Sequence, residues 1–192
     1  MSSKSSHLLQ YRVELHDQFY RKGHSDQHKV HRLSLLASDL QAINSKVMDS
    51  ENPQEIPVSD AVRGAIAVIR ILNLCNKNAT AAFMCDGEAD SSDTYALVIE
   101  GRALSNAIRE LAHGGVVKDL KIVISVAMEM LAVYVRQCWA RDVDLHRVIV
   151  EELDVEVEDE LFQCFHRVEI ERLMSQARAS LNQPTTHSML PM

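Results

Sequence analysis

The segment 116–140 limits what this chain can fold into more than any other. Lys118, Lys121, Ser125, Glu129 and Arg136 recur there at spacings of three, four, four and seven, and nearly everything between them is apolar. A helix of about 3.6 residues per turn gathers those five onto one narrow stripe. A helix with so little polar surface must be enclosed by others, as at the centre of a bundle. Only six glycines and four prolines occur in 192 residues, whereas β-sandwiches and barrels need turn residues at frequent intervals. These features predict an all-α, single-domain bundle of about six or seven helices.

Punctuation along the chain divides that bundle. Leu8, Tyr11, Leu15 and Phe19 mark a first helix, ended near Gly23. Val30, Leu33, Ala37, Leu40, Asn44 and Val47 form one face of a second, over about 26–48. The polar stretch 49–57 holds Pro53 and Pro57, both hostile to helix continuation, and reads as a linker. Ser59 and Asp60 are expected to cap a third helix through about Lys77, with Asp60, Arg63, Arg70 and Lys77 as its polar stripe. The acidic, small-residue stretch 85–93 reads as a loop. A helix over about 94–113 follows, capped by Ser92 or Asp93 and stopped by Gly114-Gly115.

After the apolar helix, a sixth is expected to begin at Asp142 or Asp144, and a seventh to cover about 158–181. Between them, residues 153–158 alternate with period two and read as an extended connection or a helix end. The bundle domain spans 1–181, and 182–192 is a frayed tail.

The net charge of −7 is uneven: +2 over residues 1–50, −4 over 51–115 and −5 over 116–192. Bulk nucleic-acid binding rests on cations that neutralise phosphates, so this balance argues against it. The mildly basic N-terminal quarter reads as a solvated helix face, or as a contact for an anion or an acidic partner. Cys75, Cys85, Cys138 and Cys164 contain no C-x-x-C pair, which implies a reducing compartment and no zinc knuckle. No apolar segment follows Met1 to Ser6 as a signal peptide requires. The longest apolar run, 122–134, is interrupted by Glu129 and falls short of the about 20 residues that a bilayer span needs. The expectation is a soluble cytoplasmic protein without membrane contact.

Four features could carry chemistry. His24, His28 and His31 would share one helix face, and three imidazoles so placed can take zinc or another transition metal. Without a fourth ligand in view they read as solvated or packed histidines, and no metal is expected. Asp142, Asp144, Glu151, Glu152, Asp154, Glu156, Glu158, Asp159 and Glu160 put nine carboxylates into nineteen residues. Converging, they could hold magnesium; dispersed, they form a charged rim or a patch facing a basic partner. Glu129 reads as an outward, salt-bridged residue of the apolar helix. Gly114-Gly115 could offer backbone N–H groups to an anion, though a helix stop accounts for it. There is no nucleophile elbow, Walker A loop, dinucleotide fingerprint or H-E-x-x-H motif.

Two stretches resemble the all-α nucleotide pyrophosphohydrolases, the MazG-like superfamily. Residues Val13 to Phe19 (with the pair His16-Asp17) and Arg32 to Leu40 are similar to its opening helices. Residues 118–152, above all Ala127 to Leu131 and Asp142 to Leu145, are similar to its central apolar helix and the turn after it. The resemblance implies a helical bundle and magnesium-dependent hydrolysis of a nucleoside triphosphate, performed by E-x-x-E and E-x-x-D motifs. At the first motif this chain has only Asp39, and at the second only Glu129. The activity would require Asp39 and Glu129 to lie a few ångströms apart, joined by Glu110 or Asp119.

Because the acidic motifs are incomplete, the expected function is a non-catalytic helical adaptor, regulator or inhibitor without a cofactor. It would contact a protein partner or a second copy of itself, with residues 151, 152, 154, 156 and 158–160 as its acidic contact surface. The alternative is a diverged, magnesium-dependent pyrophosphohydrolase.

Overall fold

The computed structural model describes residues 3–20, 29–48, 56–84, 92–113, 117–155 and 160–182. Every regular element among them is a helix: α1 (Ser3–Tyr20), α2 (Lys29–Met48), α3 (Val58–Leu74), α4 (Thr80–Phe83), α5 (Asp93–Ala112), α6 (Val117–Trp139), α7 (Leu145–Val155) and α8 (Glu160–Asn182). The fold is all-α, as the composition predicted. Eight described helices rather than six or seven reflect α4, a single turn between the expected third helix and the 85–93 loop, where no element was expected. Its Ala82 and Phe83 are buried, and the Asn78 side-chain oxygen accepts the Thr80 N–H at 2.7 Å.

Four helices close a ring: α2 packs on α3, α3 on α6, α6 on α5, and α5 back on α2. Contacts near helix ends give their directions. The late α2 residue Asn44 meets Leu97, early in α5. Asp93 at the start of α5 meets Arg136 near the end of α6. Gly64, early in α3, lies under Tyr134, late in α6. Ring neighbours are therefore antiparallel, and α2 and α6 occupy diagonal corners. A second layer covers α3: α1 packs on α3, α4 and α7; α7 packs on α3 and α6; α8 packs on α1.

The apolar helix α6 lies in the core as its stripe predicts, with Lys121, Ser125 and Glu129 exposed. The segment Leu120–Trp139 is also long and apolar enough to cross a membrane, but most of it is buried inside the bundle, as befits a core helix. The more enclosed helix is α3, in which only Arg63 is exposed between Ala61 and Leu72. Arg70, expected in its outward stripe, is 6% exposed and bonded to Asp17 of α1. Local periodicity cannot distinguish a solvent face from a seam between layers, and α1 covers that side.

Helix ends depart from expectation for physical reasons. α3 begins at Val58 without a side-chain cap. Pro57 has φ −52 and ψ 137, and its carbonyl accepts the Ala61 N–H at 2.9 Å. The helix ends before Lys77 because Asn76 turns left-handed at φ 52. The Lys77 N–H then bonds Leu72 O at 2.9 Å and the Asn76 N–H bonds Asn73 O at 3.0 Å, the paired bonds of a Schellman stop. The same stop closes α6: Asp142 has φ 53, and the Val143 N–H reaches Cys138 O at 3.0 Å. Ser92 makes no side-chain cap bond to α5, and the Asp93 carboxylate is taken by Arg136 at 2.8 Å and Gln137 at 3.4 Å. Asp144 does cap α7, accepting the Arg147 N–H at 3.2 Å.

Candidate functional site

The ring of four helices is locked by one polar node to which each contributes. The Tyr134 hydroxyl of α6 donates to Asn44 Oδ1 of α2 at 2.7 Å, and Asn44 Nδ2 donates to Leu97 O of α5 at 3.0 Å. Gly64 of α3 leaves room for the ring: a Cβ there would lie 2.3 Å from Tyr134 Cζ. Gly101 of α5 does the same for Asn44, whose Nδ2 would lie 3.0 Å from an added Cβ. Burial pushes the Tyr134 phenol well above its ordinary range, so it remains a donor. Every polar atom here is used inside the bundle, so the node specifies packing and offers nothing to a ligand.

One polar surface that faces outward lies between α1 and the C-terminal end of α3. Two clefts of about 160 and 210 Å³ share Glu14 and Asn73 and so form one groove. Gln10 fixes one end of it: its Nε2 donates to Asn73 Oδ1 and to Lys77 O, both at 2.7 Å, and its Oε1 accepts the Ala79 N–H at 2.8 Å. At the other end Arg70 Nε donates to Asp17 Oδ1 at 2.9 Å, with the side chains 6% and 12% exposed. Arg32 of α2 completes that wall. Removing one partner of such a buried pair costs about 3–5 kcal/mol, because the other is left charged and unpaired. The groove thus presents amides and both signs of charge on a fixed frame, and its described lining has no serine, threonine or cysteine nucleophile.

The His16-Asp17 pair is absorbed into this frame. His16 is buried, its Nε2 lies 2.8 Å from Leu153 O of α7, and its Nδ1 lies 3.9 Å from Asp17 Oδ1. His31 is exposed on α2, while His24 and His28 lie outside the described residues. Among the described residues no group of three or more His, Cys, Asp or Glu side chains is placed to hold a metal ion.

The carboxylates named from sequence stand apart from this groove. Asp39 and Glu129 are exposed on α2 and α6, which sit at opposite corners of the ring, and Glu110 is exposed on α5. Glu129 faces outward as expected, and its described hydrogen bond is from Ser125 Oγ at 3.5 Å rather than from a cation. In the acidic run, Glu151 pairs with Arg147 at 3.6 Å, Glu152 with Arg63 at 2.6 Å and Asp154 with Arg167 at 3.4 Å. The side chain of Asp119, residues Glu156, Glu158 and Asp159, and the side chain of Glu160 lie outside the described residues.

Sequence reasoning missed Glu100. Its carboxyl is raised above the ordinary value, first by partial burial and then by the negative charge of Glu129 on the neighbouring helix. A single glutamate in an amphipathic helix carries no signal of that neighbour. Gln10 and Asn73 were missed for the same reason: their partners are 63 or more residues distant in the chain. Cys75 and Cys138 are buried free thiols; burial raises both, Cys138 to about 11, which keeps them protonated and unreactive. Compared with models of known families, with curated proteins and with solved structures, the chain matches none.

Proposed function

We propose that this chain is a single-domain, non-catalytic helical adaptor, regulator or inhibitor that acts in the cytoplasm through contacts with a protein partner or a second copy of itself. The observation that carries this reading is how its described carboxylates are arranged. Glu151, Glu152 and Asp154 each face an arginine, and Asp39, Glu110 and Glu129 are exposed on three different helices. Hydrolysis of a phosphoanhydride by metal ions needs carboxylates converging on one point, to hold the metals and position water. Dispersed and paired carboxylates instead give a surface of fixed charge pattern, which steers and selects partners. Tyr95 and Ile99, one turn apart on α5 and 64% and 58% exposed, supply a separate apolar anchor.

Two measurements on the purified chain test this together. Sedimentation should detect self-association or a defined complex, and magnesium-supplemented nucleoside triphosphates should release no pyrophosphate. A monomer that turns over a small molecule would overturn the reading.

A second reading, a diverged magnesium-dependent nucleoside triphosphate pyrophosphohydrolase, loses the Asp39–Glu129 pair that it was expected to use, since the two stand at opposite corners of the ring, and would rest instead on the closeness of Glu100 and Glu129. Under it, pyrophosphate release would require magnesium and would be abolished by Glu129→Gln.

A further inference from the structure

Between α2 and α5 runs a groove of about 410 Å³ whose polar lining is Ser34, Ser38 and Gln41 on one wall and Ser105, Asn106 and Arg109 on the other. Among the described residues no Asp or Glu lines it, although the chain carries 27 acidic residues against 20 Lys and Arg. The clefts beside α1 differ: Glu14 lines both and Asp17 one of them. Arg109 is oriented by its own helix, donating from Nη2 to Asn106 Oδ1. That bond uses one of the five N–H donors of a guanidinium. Ser34 returns its hydroxyl to Val30 O at 3.0 Å, but Ser105 Oγ is sealed in the wall with no hydrogen-bond partner among the described residues. Ser105 also lines the groove, and its hydroxyl would meet an occupant through a change of χ1 rotamer.

Size selects the class of occupant. From Ser34 to Gln41 the groove is about 10 Å long at about 1.5 Å rise per residue, too short to seat several turns of a partner helix. Its volume falls within the roughly 300–1,000 Å³ of small-molecule sites. We propose that this groove binds a small hydroxylated organic oxyanion, a carboxylate or a phosphate. Arg109 opposes its charge, Ser105 bonds its oxyanion, and Ser34, Ser38 and Gln41 face its hydroxyl groups. This goes beyond the proposed partner contacts and stands whether or not they are found.

Amide NMR titrations of the full chain with inorganic phosphate and, separately, with malate test the proposal at ionic strength held constant with sodium chloride. Saturable shifts confined to 34–41 and 105–112 are expected. Arg109→Gln should weaken binding about tenfold or more and Ser105→Ala about threefold, the losses expected for a charged and a neutral hydrogen bond. Arg172→Gln, on the distant α8, should change nothing. Saturation by either probe alone supports the proposal and assigns the head group. No saturation with either probe overturns it. So do shifts that follow all exposed arginines alike or survive Arg109→Gln, which would mean an adventitious ion only.

Discussion

The main bundle and its last helix, α8, are held by different physics. In the ring, α2, α3, α5 and α6 interlock through Asn44, Gly64, Gly101 and Tyr134, and the main hydrophobic cluster is continuous through all four and on into α1, α4 and α7 through Leu9, Val13, Phe83, Leu145, Ile149 and Leu153. The α1–α8 contact has a cluster of its own, with Leu15, Ile170 and Met174 at its centre. Polar pairs add to the attachment of α8: Arg12 with Glu171 and Arg167 with Asp154. The Arg167–Asp154 pair is exposed, and such pairs contribute about 0–1 kcal/mol, far less than a well-packed core position or the buried Arg70–Asp17 pair that ties α1 to α3. A rigid frame therefore carries one more loosely attached helix, α8.

Several substitutions would break or sharpen this contrast. The largest effect is expected from Gly64→Ala, which drives a methyl into the Tyr134 ring. Overpacking of this kind costs about 1–3 kcal/mol and occasionally more, and denaturant unfolding should show a loss at the upper end of that range. Tyr134→Phe keeps the ring but strands Asn44 Oδ1, so a loss of about 1–3 kcal/mol is expected, with the helix content by circular dichroism unchanged. Asp142→Gly relieves a left-handed residue at the end of α6. Thermal unfolding should show a gain of up to about 1–2 kcal/mol, the upper bound for the αL penalty of an L-residue.

The smallest effect belongs to the outer layer. The His146 imidazole of α7 is lowered from 6.5 first by burial and then by Arg12 and Arg178, with Asp144 opposing. Its folded state thus holds the proton less tightly than the unfolded chain does. Stability is therefore complete above about pH 6.5 and declines as pH falls below it. Equilibrium unfolding at pH 7.5 and 5.5 should show that decline reduced in His146→Asn.

Much of the ring is legible in the sequence, and the packing of α1, α7 and α8 over it is not. Asn44 already falls on the apolar face of α2 with Leu33, Ala37 and Leu40, so its burial follows from spacing. Its partner Tyr134 lies 90 residues away, a separation that no local pattern reports. Arg70 repeats at helical spacing with Arg63, yet one is buried against α1 and the other exposed. The difference is made by a helix that packs over only one of them. The acidic run was visible at once, but the arginines that pair with Glu152 and Asp154 come from α3 and α8. Pairing across layers decides whether such carboxylates can share a metal, and it requires the fold.

Native-state hydrogen exchange tests the two-tier account most directly. Amides of α8 should exchange through a sub-global opening well below the free energy of global unfolding, while the central amides of α3 and α6 exchange only with it. Equal protection of α8 and α6, each lost at the global unfolding free energy, would contradict the account.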